Sequence, residues 1–369
     1  MNQLFRWDQT GLFLLALAAG ILPFAVPEVC AAALREGLTL CSGPLLLSLF
    51  PFLVVSRLLI QCPESDLLAL PFRLAAWGIG IRTPCAARVL CIGFLGGFAP
   101  AASAAAQAVR TGQLTAEEAD ALLPACICSG PSFVVLTVGQ SMLGSAELGV
   151  LLFAAQITAN YLTAALLNRF AGVRSVKLGS AAPASPAPPR LDEILADAAI
   201  TYCKLCGFIL FFRLLAAGAG ALLPTGAGTL CAILLEVCSG CDLASRTGRW
   251  GSLLCCAALS VQGLSVLLQV RTICPAEMTL HPLYRARILH LPLSLALFYL
   301  LLPGGEADVF STLPARVLLM RRVPPDCALL VFAVCCMAAC TLRSGIRQVE
   351  QKQMARNAGG CCINSKTLL

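Results

Sequence analysis

The sequence predicts an all-α polytopic membrane protein, built as two inverted repeats with broken helices and re-entrant hairpins. Three observations lead there. Of 369 residues, 58% are hydrophobic and only 12% charged, against roughly a quarter charged in soluble domains, and mean hydropathy is +0.84. Several apolar runs are interrupted near their middle by Gly or Pro, which frees backbone groups that lipid cannot satisfy. One basic, Pro- and Ala-rich stretch, residues 169–190, divides the chain into halves.

The formal net charge is +7, and the basic residues gather in loops and in the tail. That distribution reads as a topology signal, not as a nucleic-acid footprint. The 21 Cys lie largely inside apolar runs, where a thiol packs as a small hydrophobe. Cys203 and Cys206 form an isolated CxxC without zinc-like spacing. Without a nucleophile–base constellation or ligand cluster, neither an enzyme nor a cofactor is expected.

Taken in order, residues 11–26 form a first span and 28–40 a short mixed segment suited to the interface; together they make an N-terminal unit, 1–40. The first repeat, 41–168, opens with a span at 42–60 carrying Arg57, then a loop and surface helix at 62–82. Residues 85–110 are broken at Gly93, Gly96, Gly97 and Pro100, with small residues after them that permit close helix packing. Thr115-x-x-Glu118 is a capping-box pattern that opens a short helix. The stretch 124–143 is apolar yet holds Ser129-Gly130-Pro131-Ser132 at its centre, and 146–167 is a full span.

Beyond the linker, the second repeat, 191–302, opens on a long helix at 191–223 with Lys204 and Arg213. Residues 227–241 end on Glu236-Val237-Cys238-Ser239-Gly240, 251–270 are broken at Gln262-Gly263, and 289–302 span again. A loop and last span (303–342) and a basic tail (343–369) close the chain.

Placed side by side, the halves carry interruptions of the same type in the same order. Arg57 lies opposite Arg213, the Gly96-Gly97 break opposite Glu236-Ser239-Gly240, and Ser129-Gly130-Pro131 opposite Gln262-Gly263. Letting 126–140 and 258–270 be re-entrant gives four crossings per half. It puts the linker, the tail and the Arg73/Arg82, Arg246/Arg249 and Arg285/Arg287 loops in the cytosol, and the Glu117/Glu118/Asp120 loop outside.

At these residues the chain resembles the sporulation integral membrane protein family YlbJ, which is built from nucleoside-recognition "Gate" repeats. The likeness is carried by Ser48-Leu49-Phe50-Pro51-Phe52, Gly96-Gly97-Phe98, Ser129-Gly130-Pro131, Leu235-Glu236-x-x-Ser239-Gly240 and Gly263-Leu264-Ser265-Val266 with Gln269, in that order. It runs from about residue 11 to 302. It implies a carrier distantly similar to concentrative nucleoside transporters, placed in a bacterial cell membrane (the mother-cell-derived outer forespore membrane) and moving dipicolinic acid during spore formation.

A carrier needs a polar site near the bilayer midplane, and half-helix N-termini supply N–H groups and a positive dipole end for anions. Ser129, Gly130, Pro131 and Ser132, Gly96 and Gly97, and Gln262, Gly263 and Ser265 stand at the breaks. They line a ligand cavity, or else they are packing glycines with back-bonded serines. Arg57 and Arg213 are costly at depth; either they clamp a small dicarboxylate through bidentate forks or they snorkel to the interface. Glu236, with Ser239 and Gly240, accepts a coupling proton or bonds substrate, or else it pairs with Arg246 or Lys204. Gln140, Gln156, Asn160 and Gln269 read mostly as helix-contact groups, and His281 and His290 as interfacial. The expected partners are a small-molecule substrate (a dicarboxylate or nucleoside-like solute) and the lipid bilayer, without nucleic acid. A homo-oligomer and a non-transporting spore-envelope scaffold stay open.

Overall fold

The computed structural model describes residues 9–61, 65–171 and 191–302. The linker beyond residue 171, the last span and the basic tail lie outside the described residues. Those described are almost entirely helical. In order they form α1 (Gln9–Ala25), α2 (Pro27–Ser42), α3 (Pro44–Gln61), α4 (Ser65–Leu68), α5 (Leu70–Gly78), α6 (Pro84–Gly96), α7 (Phe98–Arg110) and α8 (Ala116–Cys126). A π-helix (Ser132–Met142) follows, then α9 (Ala146–Ala171), α10 (Leu191–Leu222), α11 (Thr225–Leu235), α12 (Val237–Ser245), α13 (Gly251–Val261), α14 (Gly263–Ile273) and α15 (His281–Leu301).

Four stretches are long and apolar enough to cross a membrane by length and composition: Pro27–Ile60, Ala146–Ala171, Leu191–Leu222 and Gly248–Ile273. Large apolar side chains stand bare on the outside of these stretches and of α1; Phe24 on α1 and Phe170 on α9 are 88% and 82% exposed. Water would not tolerate so many bare aromatics and leucines, and lipid does. The protein is membrane-embedded.

Segment 28–40 is not an interfacial helix. It continues through a bend at Gly43 into α3, and it buries Cys30, Ala33, Gly37 and Leu40 along α10. Polar contacts order the two faces of the bundle. Asn168, near the end of α9, donates to Ala121 O (3.1 Å) and Ile79 O (2.9 Å). Thr83, before α6, donates to Glu118 (2.7 Å), and Arg110, ending α7, reaches Ile273 O (3.4 Å). Asp120 accepts from Thr279 N, Thr279 Oγ1 and Leu280 N, latching the α14–α15 turn onto α8. All of these lie on one face, the face from which the linker leaves α9.

Two corrections to the expected topology follow. The chain turns back on itself in α6–α7 and in α11–α12, not at residues 126–140 and 258–270. A Cβ on Gly93 would meet Ala101 Cβ at 3.3 Å, and one on Gly240 would meet Ile233 Cα at 2.8 Å. Residues seven or eight apart lie about 10–12 Å apart along a straight helix, so the chain doubles back at Gly97 and at Glu236. The stretches expected to turn back instead run through. Gly139 packs on Gly149, Asn160 bonds Ile127 O and Asn168 bonds Ala121 O, so α8 and the π-helix together follow α9 antiparallel along its length. Likewise α13 and α14 run on through Gln262 as one interrupted crossing.

The second correction concerns loops. Residues 111–120 lie on the linker face, with Arg82, because α6–α7 doubles back. The Arg246/Arg249 turn lies on the opposite face, because α10 crosses before α11–α12 turns back. The expected assignment fails because it turned the chain back at 126–140 and 258–270; turning back in α6–α7 and α11–α12 instead changes the crossing parity. Reporter fusions made after Gly112 and after Thr247 are expected to report opposite sides of the membrane; the same side for both would refute this topology.

Local rules explain the helix ends. The capping box at Thr115 is formed in full: Glu118 N donates to Thr115 Oγ1 (3.1 Å), and Thr115 N donates back to Glu118 Oε2 (3.2 Å). Proline opens α2, α5, α6 and α15 within the first two positions, where its missing N–H has no helical partner to lose.

Candidate solute site at the chain breaks

Each hairpin tip abuts one interrupted crossing. A Cβ on Gly97 would lie 2.6 Å from Gly130 N, and one on Gly263 3.0 Å from Glu236 N and Leu235 C. Side chains would separate these backbones, so glycine is what allows tip and break to touch. Gly97 also takes φ +80°, ψ −163°, a region essentially open to glycine alone.

All four interruptions converge on a cavity of about 50 Å³. Gly96 and Phe98 line it from the first tip, Ser129, Gly130, Ser132 and Phe133 from the first break, Glu236, Val237 and Cys238 from the second tip, and Val266 and Gln269 from α14, the half-helix that follows the second break. Leu45, Leu49 and Ile209 close it from α3 and α10. The lining is mostly apolar with a few placed polar groups, as solute sites usually are.

The expected site residues divide by role. Gly96, Ser129, Gly130, Ser132 and Glu236 line the cavity. Pro131 caps the π-helix, where its ring fits a position without an N–H partner. Gly97 and Gly263 are contact points between tip and break. Gly240 lets α12 lie against α11. Ser265 accepts from Gln269 Nε2 (2.9 Å) and so orients that amide. Gln262, at φ +65°, turns the α13–α14 break and donates to Leu259 O (2.8 Å).

Glu236 is 2% exposed and is bonded to neither Arg246 nor Lys204. It caps α12, accepting from Cys238 N (2.8 Å), Ser239 N (2.7 Å) and Ser239 Oγ (2.8 Å), while Arg246 pairs with Asp242. A carboxylate there complements the helix N-terminus. Glu236→Ala is expected to lower the thermal stability of the purified protein by about 1–2 kcal/mol, with Glu236→Gln losing less; a melting curve unmoved by Glu236→Ala would show that the cap is immaterial.

The two arginines do not clamp a common ligand. Arg213 pairs with Glu36 at 2.6 Å and Arg57 with Asp197 at 2.5 Å. Neither lines the cavity at the breaks, and both charges are answered within the protein.

Sequence reasoning missed Arg287, which it placed in a loop. It is 8% exposed on α15. Its guanidinium donates to Ile127 O (3.0 Å), Ser260 O (3.3 Å) and Asn160 Oδ1 (3.2 Å), and no carboxylate contacts it among the described residues. Ile127 ends α8 and Ser260 nears the end of α13, so one cation satisfies carbonyls freed at both interrupted crossings. Their C-terminal dipole ends supply the compensating negative potential. His290 is fully buried beside it, its Nε2 3.2 Å from Gln156 O, not at an interface. Gln156 in turn donates to Ser260 Oγ (2.9 Å) and Cys256 O (3.2 Å), and Ser260 bonds Ser294. The signal available was Arg287 and His290 three residues apart, one helical turn, beside an otherwise apolar stretch.

Among the described residues no group of His, Cys, Asp or Glu could hold a metal ion, and the described cysteines are free. Compared with family models, curated proteins and solved structures, the chain matches none.

Proposed function

We propose that this protein is a secondary carrier for a small solute, which it binds in the cavity where the two hairpin tips meet the two interrupted crossings. The observation that carries the reading is this convergence of four chain interruptions, two from each half, on one buried point. A structural scaffold has no use for unwound backbone at membrane depth, whereas a carrier builds its site there. In this reading the halves are inverted repeats: hairpin, interrupted crossing and long helix recur in the same order, and the hairpins enter from opposite faces. The same order underlies the resemblance to concentrative nucleoside transporters and to the YlbJ-type sporulation family. Dipicolinic acid, moved across a bacterial membrane during spore formation, is accordingly the first solute to test.

At about 50 Å³ the cavity is small against the roughly 300–1,000 Å³ of ordinary ligand sites. Loading therefore requires a hairpin tip to withdraw, and tip movement is the gating step of this reading. Reconstitution into proteoliposomes with labelled dipicolinate, and separately with nucleosides, tests it. Uptake of one, abolished by Ser129→Leu with folding intact, is expected. No uptake of either by folded protein would overturn the carrier and leave the scaffold.

A further inference from the structure

A second concavity, of about 190 Å³, lies on the linker side of the first and shares one wall residue with it, Gln269. Arg57, Arg110 and Lys204 line it, with Asp197 as the one carboxylate among its lining residues. Asp197 is engaged by Arg57; among the described residues Arg110 bonds only a backbone carbonyl, at 3.4 Å, and no carboxylate is bonded to Lys204. The lining thus carries an excess of positive charge between apolar helices, a setting that concentrates anions. Ser103, 3% exposed, adds a hydroxyl.

The floor supplies the second sign of a ligand. Gln269 is 1% exposed. Its Nε2 is held by Ser265, and its Oε1 bonds nothing among the described residues. A buried amide oxygen without a partner is destabilising. Turned end for end, the same amide offers an N–H to a carboxylate while its oxygen accepts from Ser265. Gln269 therefore sits between the two concavities with one hydrogen-bonding group to spare.

We propose that the concavity between α3, α7, α10 and α14 is an outer binding site for small soluble anions bearing carboxylate or phosphate groups. Arg110 and Lys204 hold the charge, Arg57–Asp197 forms the rim, and Gln269 receives the anion on its way to the cavity at the breaks. The last step rests on the carrier reading; the binding does not.

The test uses the full-length protein in detergent, with malonate as probe and malonamide, its uncharged counterpart, as control. Malonate is expected to raise the melting temperature and malonamide to leave it unchanged. The Arg110→Gln/Lys204→Gln double variant, its fold checked by gel filtration, is expected to need about tenfold more malonate. Equal stabilisation by malonamide, or an unaltered malonate response in the double variant, overturns the site. A lipid headgroup is separated by repeating the measurement in phosphatidylcholine nanodiscs with and without phosphatidylglycerol. If phosphatidylglycerol alone stabilises wild type over the double variant and malonate does nothing, a soluble-anion site is excluded. In proteoliposomes the double variant is expected to raise KM for an anionic solute with the maximal rate retained. If wild type transports nothing while the malonate effect and its loss persist, the carrier falls and the outer site stands.

Discussion

Replacing Arg287 with alanine is expected to be the most damaging single change outside the hairpin tips. The guanidinium satisfies Ile127 O, Ser260 O and Asn160 Oδ1, all within a layer closed to water. Truncation takes this donor from Ser260 O and Asn160 Oδ1, at about 1–3 kcal/mol each, while Ile127 O keeps its bond from Asn160 Nδ2, and it opens a void where a long side chain stood. The expected result is a protein that is poorly recovered from the membrane and melts far below wild type. Arg287→Lys is expected to recover part of the loss, because one ammonium keeps the charge near the dipole ends but cannot reach three diverging acceptors as a planar fork does. Arg249→Ala, on an exposed turn where its guanidinium lies over Trp250, is the matched control and is expected to change little. Melting curves of the three variants decide the point. An Arg287→Ala protein as stable as the control would mean that the breaks hold their shape without the cation.

The same residue shows what was legible in the sequence and what was not. Membrane character and the positions of the interruptions could be read, because Gly, Pro and apolar runs act on the local backbone. The capping box at Thr115 was legible for the same reason. Whether an interruption is a turn-back or a pass-through was not. Both Gly97 and Gly130 break a helix; what separates them is the partner each half lies against, a tertiary fact. A stretch with Ser-Gly-Pro looks like a hairpin tip, yet α9 supplies Gly149, Asn160 and Asn168 at successive depths and holds α8 and the π-helix in line. Arg287 was hidden by proximity to His281 and Arg285, which made it part of a basic loop on charge grounds. Arg57 and Arg213 misled in the opposite sense. Their carboxylate partners, Asp197 and Glu36, are 140 and 177 residues away, beyond the reach of any local pattern.

On the carrier reading, Gly97→Ala is expected to abolish solute uptake, and Gly263→Ala to reduce it, through one geometric cause. At Gly97 an added methyl carbon would stand 2.6 Å from Gly130 N and 2.9 Å from its Cα, in a backbone conformation of φ +80°. Neither obstacle is a side-chain end that can swing away. The backbone strain alone costs about 1–3 kcal/mol, and the contact adds to it unless tip and break part. At Gly263 the contacts are 3.0 Å, to Glu236 N and Leu235 C and O, with φ +67°. That is tight but relieved by a few tenths of an ångström. The shorter distances at Gly97 set the order of severity. Gly207→Ala, where nothing lies within 4 Å, is the control; mid-helix, it is expected to stabilise by up to about 1 kcal/mol. Uptake and melting temperature read together separate two consequences of parting the first tip from its break. If Gly97→Ala folds and melts near wild type but no longer transports, the closed contact is needed for the cycle and the tip is the gate. If it transports normally, the contact is packing alone, and gating must be sought at the second tip, where Glu236 already anchors α12 through three hydrogen bonds and leaves less freedom to move.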